Sequence, residues 1–167
     1  MIDICTTITH ALLICIPFSI FAVVSFLLRP RLWLHSLPQD IRELAAKKTE
    51  HEKKLTKFLL LPLVLLILPG LSIASTLYIA LTTQTDLSFI NVLIHLYGIW
   101  IIVHVWDFCI IDCTAILLID PKHPPISGTE GANGWSSYAF HFRALLQAIV
   151  MSALFVIPCA FILALFV

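Results

Sequence analysis

Four long apolar runs dominate this chain, and each is at least as long as a helix that crosses a bilayer. They cover residues 8–28, 58–81, 89–119 and 142–167. A membrane-spanning helix needs roughly 20 predominantly apolar residues, and a helix satisfies its backbone hydrogen bonds internally. The chain is 60% apolar and 12% charged, which is about half the charged fraction of a soluble domain. The sequence therefore predicts an all-α integral membrane protein, a single domain folded as a four-helix bundle.

Positive charge is concentrated in two polar linkers, residues 29–57 and 120–141. Eight of the ten lysine and arginine residues lie in the first linker, and Lys122 and Arg143 lie in or beside the second. Cytoplasmic loops of membrane proteins are enriched in lysine and arginine. We therefore predict that both linkers are cytoplasmic and that both termini lie outside. The predicted partners are the lipid bilayer and, as an alternative to a lone subunit, a homo-oligomer or another membrane protein. Nucleic acid is not a predicted partner, because the lysines do not form a basic face on a folded domain.

The first linker carries the signals of a short amphipathic helix. Residues 36–39 have the form of a capping box, and the apolar residues that follow fall roughly on one helical face. Those apolar residues are Leu37, Ile41, Leu44 and Leu55. Glu43 with Lys47 and Glu50 with Lys54 have the spacing and order that stabilise a helix. Such a helix belongs either to a solvated hairpin or to a surface that contacts anionic lipid or a protein partner.

Three polar residues, His104, Asp107 and Asp112, interrupt the third apolar run. A carboxylate in hydrocarbon costs at least a few kcal/mol, so such residues usually face a bundle interior and have partners or a function. At 100° per residue, Asp107 lies about 60° to one side of His104 and Asp112 about 80° to the other. One broad face presents all three, so we predict a cytoplasm-facing polar cluster that Glu130 and His141 of the next linker join.

This cluster has several interpretations. The candidate catalytic residues, acting as acids and bases or as a proton relay, are His104, Asp107, Asp112, Glu130 and His141. A divalent metal is a second interpretation, because imidazole and carboxylate suit several such ions, and its candidate ligands are His104, Asp107, Asp112 and Glu130. Haem is disfavoured, since the two histidines of the third run fall on opposite faces of its helix. Alternatively, the charges pair structurally in a non-catalytic assembly subunit, or they belong to an oligomeric transporter component.

Two further patterns are weaker signals. Residues 127–131 are typical of a tight turn whose glycines take positive φ, and the N–H groups of such a turn can bind an anion. The lysine and strand of a P-loop do not accompany it. The five cysteines lack the paired spacings of a disulfide framework or zinc site, so we interpret them as small apolar residues. We interpret His10 as an interfacial histidine.

Several short motifs together resemble the pattern of a group of uncharacterised small four-pass bacterial membrane proteins. The motifs are 34–41, Trp106–Asp107, Ile111–Asp112, 128–131 (G-T-E-G) and 138–143 (Y-x-F-H-F followed by a basic residue). That group carries an aspartate-containing third helix and a P-G-T-E-G loop. The chain departs from the pattern at Ile126, Ser127 and Cys113. The resemblance implies a four-pass fold and the inner membrane of a bacterium, and it implies no activity.

Overall fold

The protein is an all-α integral membrane protein whose four long helices form a bundle. The computed structural model describes residues 2–83 and 88–166. The long helices are α1 (Ile4–Leu28), α3 (Glu50–Thr82), α4 (Phe89–Leu118) and α5 (Tyr138–Leu163), and each is long and apolar enough to cross a membrane. A short helix, α2 (Gln39–Leu44), lies in the first linker. The predicted fold class and the short linker helix are confirmed.

The start of α3 differs from the prediction because the capping box lies elsewhere. The Thr49 hydroxyl accepts a hydrogen bond from the Glu52 N–H, and the Glu52 carboxylate accepts one from the Thr49 N–H. This reciprocal cap begins the helix at Glu50, rather than near residue 58. The box predicted at residues 36–39 is wrong, since Ser36 ends a 3-10 helix (Pro30–Ser36) and α2 has no side-chain cap.

The charge pairs predicted along the first linker also differ from those observed. Lys47 lies beyond the end of α2, so it does not share a helix with Glu43. Glu50 pairs with Lys53 at 2.7 Å and not with Lys54. The continuous helix that the spacing implied is therefore two helices separated by residues 45–49.

Helix α4 is the centre of the bundle and packs most extensively against α5 and α1. One buried cluster joins α3, α4 and α5 and consists of Ile79, Val92, Leu96, Val156, Ala160 and Leu163. A second joins α1, α3 and α4 and consists of Ala11, Ile14, Cys15, Leu68, Ile99 and Val103. Many leucines and isoleucines on the outside of the four helices are exposed. An apolar exterior of this extent is the surface that a membrane protein presents to lipid.

The two polar linkers pack on one another at the same end of the bundle. Their shared core consists of Leu34, Leu37, Ile41, Ala45, Ile126, Ala132 and Trp135. We call this unit, residues 30–45 with 126–136, the linker cap. Gly128 and Gly131 adopt φ values of 86° and 74°, which confirms the predicted turn and its need for glycine. The cap therefore covers one end of the bundle with residues from both linkers.

Candidate functional site

A close contact between the Asp112 carboxyl group and the His141 imidazole lies where α4 and α5 meet near the linker cap. The Asp112 Oδ2 and His141 Nδ1 atoms are 2.9 Å apart, and the side chains are only 25% and 12% exposed. His141 lies in the first turn of α5, four residues after the Ser137 N-cap, whose hydroxyl accepts from the Phe140 N–H. The pair therefore fastens the end of one membrane helix to the start of the next.

A π-helical segment of α4, Asp107–Asp112, brings the two aspartates into the same region. In a π-helix the backbone hydrogen bonds join residues five apart, so Asp107 and Asp112 occupy corresponding positions on successive turns. Ideal α-helical geometry would separate them by about 140°. Asp107 interacts electrostatically with both Asp112 and His141. Because π-helical turns of this kind occur frequently at functional sites, Asp107, Asp112 and His141, which we call the polar cluster, are the strongest candidate site.

Helix α1 closes the polar cluster from a third side. The indole Nε1 of Trp106, the residue before Asp107, donates a hydrogen bond to the Ser19 hydroxyl at 2.8 Å. Cys15 lies one turn from Ser19 and interacts electrostatically with Asp107. The cluster is thus bordered by α1, α4 and α5. Arg143, two residues after His141, is exposed.

His104 lies deeper along α4 than the polar cluster. Its ring stacks at a tilt on that of Trp100, with 5.6 Å between centroids. Within the part of the chain that the structure describes, His104 Nε2 and Trp100 Nε1 are buried and have no hydrogen-bond partner. Unpaired polar atoms in a membrane interior are costly, so these two rings mark a second position where a polar group would be accommodated.

Glu130 lies in the loop of the linker cap and binds its own turn. Its Oε1 accepts a hydrogen bond from the Gly128 N–H at 3.1 Å. Hydrogen bonds from the backbone N–H groups of Glu130 and Gly128 lower the pKa of the Glu130 carboxyl. The Glu130 carboxylate therefore already occupies a backbone N–H donor, that of Gly128, which an external anion would need in order to bind this turn. The structure thus pairs Asp112 with His141 and shows Glu130 engaged with its own loop.

The metal hypothesis requires several His, Cys, Asp or Glu side chains to lie close together. Across residues 2–83 and 88–166, no three His, Cys, Asp or Glu side chains are grouped so that they could hold a metal ion. The assignment of a divalent metal to His104, Asp107, Asp112 and Glu130 gains no support from this geometry and stays a prediction. An imidazole beside a carboxyl group is also a pair that can hold and exchange protons.

Sequence reasoning missed a second polar network, which lies toward the opposite end of the bundle. The two ring nitrogens of His95 are each 2.8 Å from a hydroxyl, Nδ1 from Thr7 and Nε2 from Ser75. The Ser75 hydroxyl is also 2.6 Å from His10 Nδ1. His95 is fully buried. We call these four residues, from α1, α3 and α4, the histidine network.

A signal for the histidine network was present in the sequence. His10 lies near the start of the first run, Ser75 near the end of the second and His95 near the start of the third. In antiparallel neighbouring helices, these positions share one depth in the bundle. The sequence does not say which faces of the helices meet, so depth alone could not pair the residues.

Comparisons of the chain with protein-family models, with curated proteins and with solved structures found no match.

Proposed function

We propose that this membrane protein binds a small polar molecule beside the linker cap and exchanges a proton with it. The acid–base groups are Asp107, Asp112 and His141. The observation that carries the proposal is the 2.9 Å Asp112–His141 pair, which the π-helical segment places in the same region as a second carboxylate. Ionisable residues within membrane helices usually have a functional role.

The hydrogen-bonding groups of the polar cluster favour a ligand that is rich in hydrogen-bond donors. Imidazole changes its charge between about pH 5 and 8, and a histidine–carboxylate pair is a common general acid and base. The two carboxyl groups together offer four oxygen atoms as hydrogen-bond acceptors, and the imidazole offers two ring nitrogens. An amine or a polyol donates hydrogen bonds to these acceptors, which a ligand with acceptors alone cannot do.

We also propose that the linker cap is cytoplasmic, in the inner membrane of a bacterium. The lysines and arginines of both linkers support this orientation, and both linkers lie at the same end of the bundle. With the five native cysteines replaced, a cysteine at Asp3 should react with an impermeant maleimide added outside intact cells. A cysteine at Glu50 should react only after the membrane is opened. The reverse pattern would invert the orientation.

Ligand binding can be tested on protein purified in detergent. A thermal-shift screen of small amines and polyols would identify a ligand, and calorimetry in buffers of different ionisation enthalpy would count the protons that it exchanges. Asp107→Asn and Asp112→Asn should each weaken binding by tenfold or more, about 1.4 kcal/mol, and reduce the proton count. Asp120→Asn is the matched control, since it removes an exposed aspartate that pairs with His123 at 2.8 Å.

The same experiment separates the proposal from a structural role. If Asp107→Asn and Asp112→Asn bind the ligand as the wild type does, the polar cluster is not its site. If the wild type binds nothing in the panel and Asp112→Asn only lowers the melting temperature, the pair is a structural contact. That outcome would favour the non-catalytic assembly function.

Proton transport is a second candidate function, and the histidine network supports it. His95 and His104 lie on α4 nine residues apart, or about 14 Å along the helix, and the polar cluster continues toward the cap. Trp100, which stacks on His104, lies between them. Proton relays in membrane proteins consist of titratable residues at successive depths of the membrane.

Transport is measured with protein in liposomes that contain a pH-sensitive dye. An imposed potential should acidify the lumen faster than in protein-free liposomes, and Asp107→Asn should slow that change while Asp120→Asn should not. Wild-type rates equal to those of protein-free liposomes would exclude this function.

A further inference from the structure

A cavity of about 480 Å³ lies between the 3-10 helix of the first linker and the first turns of α3. It is separate from both polar networks of the bundle. One end is lined by His35, Lys48, Lys53 and Lys57, and the other by leucine and valine side chains of α3. The cavity is therefore basic at one end and apolar at the other.

The basic end carries positive charge that acidic residues do not balance. The Glu52 carboxylate is held by Arg31 at 2.6 Å. Glu50 pairs with Lys53, but both side chains are more than half exposed, and such pairs contribute little. Lys57 forms no ion pair with any residue in the described ranges 2–83 and 88–166 and is exposed. An anion entering the cavity would gain the attraction of three ammonium groups.

Lys48 is fixed toward the cavity by its hydrogen bonds. Its Nζ donates to the Leu32 carbonyl at 2.9 Å and to the Thr56 hydroxyl at 3.1 Å. An ammonium has three N–H donors, so one remains available. Burial and the neighbouring Arg31 lower the pKa of Lys48, against the opposing effect of Glu52. The surroundings of Lys48 therefore favour added negative charge.

The apolar end continues the same face of α3 into the membrane. Leu61, Val64 and Leu65 line the same cavity as Lys57, and the last two belong to a π-helical segment of α3, Leu63–Ile67. Their exposures are 47%, 48% and 59%. The acyl chain of a lipid could lie along these three side chains and remain in the bilayer. The headgroup of the same lipid would then reach the lysines at the membrane surface.

We infer that this cavity binds one anionic phospholipid, with its phosphate against Lys48, Lys53 and Lys57. An acyl chain lies along Leu61, Val64 and Leu65. The combination of three lysines with an apolar wall excludes a free phosphate as the best occupant, because inorganic phosphate leaves the wall uncovered. Clusters of lysine beside a membrane helix attract anionic lipid, and here a defined cavity gives that attraction a single site.

Native mass spectrometry of the detergent-purified protein tests the inference. The probes are phosphatidylglycerol and phosphatidylcholine with the same acyl chains, added in equal amounts. The wild type should retain one phosphatidylglycerol in preference to phosphatidylcholine. Lys53→Gln with Lys57→Gln should lower its affinity by roughly tenfold or more, because each lysine near an anionic surface contributes about fivefold.

Two comparisons make the result specific to the cavity. Lys47→Gln with Lys54→Gln removes the same charge from exposed lysines of the same linker that do not line the cavity, and it should leave the affinity unchanged. Phosphatidylglycerol with six-carbon chains should bind more weakly than the long-chain lipid. Any one of three results would overturn the inference. They are equal retention of the two lipids, an equal loss of affinity for phosphatidylglycerol in the two double variants, and an affinity for phosphatidylglycerol that does not depend on acyl-chain length.

Discussion

The Asp40 carboxylate in the first linker accepts a hydrogen bond from the Gly134 N–H in the second linker at 2.8 Å. The same carboxylate accepts one from the Ile41 N–H at 2.9 Å. The Gly134 bond joins two segments that are 94 residues apart in sequence. Because His141 follows Gly134 by only seven residues in the sequence, the linker cap helps to fix the start of α5 and hence the polar cluster.

The close approach at Gly134 predicts that this position does not accept a side chain. A Cβ atom there would clash with Asp40 Oδ1 and would lie 2.7 Å from the Pro38 Cβ. We expect Gly134→Ala to lower the free energy of unfolding by about 1–3 kcal/mol, measured by denaturation in detergent. Gly70→Ala is the control, since no atom lies within 4 Å of its added Cβ. Equal stability of Gly134→Ala and the wild type would contradict the packing of the cap.

The Asp112–His141 pair predicts a measurable coupling between the two side chains. In a double-mutant cycle with Asp112→Asn and His141→Gln, we expect an interaction energy of about 1–3 kcal/mol, because both groups are largely buried. The same cycle at Asp120 and His123 should show no coupling, because that pair is exposed to solvent. Additive effects at Asp112 and His141 would show that the pair contributes no stability.

The membrane fold could be predicted from sequence because each apolar run reveals its own length and composition. The site could be predicted only in part. The sequence identified Asp107, Asp112 and His141 as candidates. Their relative placement depends on the π-helical segment of α4, which cannot be predicted from the 100° per residue of an α-helix. The histidine network depends on which helix faces meet, a property of packing between helices. The start of α3 depends on which of two capping sequences forms, and Thr49 with Glu52 forms both bonds of the box.

The histidine network predicts unequal roles for its two imidazoles. His95 binds two hydroxyls and is fully buried. Within residues 2–83 and 88–166, His10 has one side-chain hydrogen-bond partner, the Ser75 hydroxyl, and is half-buried. We expect His95→Leu to destabilise the protein by about 1–3 kcal/mol and His10→Leu to destabilise it less. Thermal unfolding in detergent measures both, with the exposed His51→Leu as control. A larger loss for His10→Leu would contradict this ranking.

The surroundings of His35 predict that the protein loses stability when the pH falls. Burial, followed by the nearby positive charge of Lys48, lowers the pKa of His35 below its usual value of about 6.5. The unfolded chain therefore binds more protons than the folded chain between the folded pKa and about pH 6.5, so stability rises with pH across that window and levels off above it. His35→Gln removes the titrating group, so its melting temperature should change less between about pH 5 and 7.5 than that of the wild type. His51→Gln, at an exposed histidine of the same linker, should retain the wild-type dependence. If His35→Gln kept the full pH dependence, the loss of stability would have to come from another group.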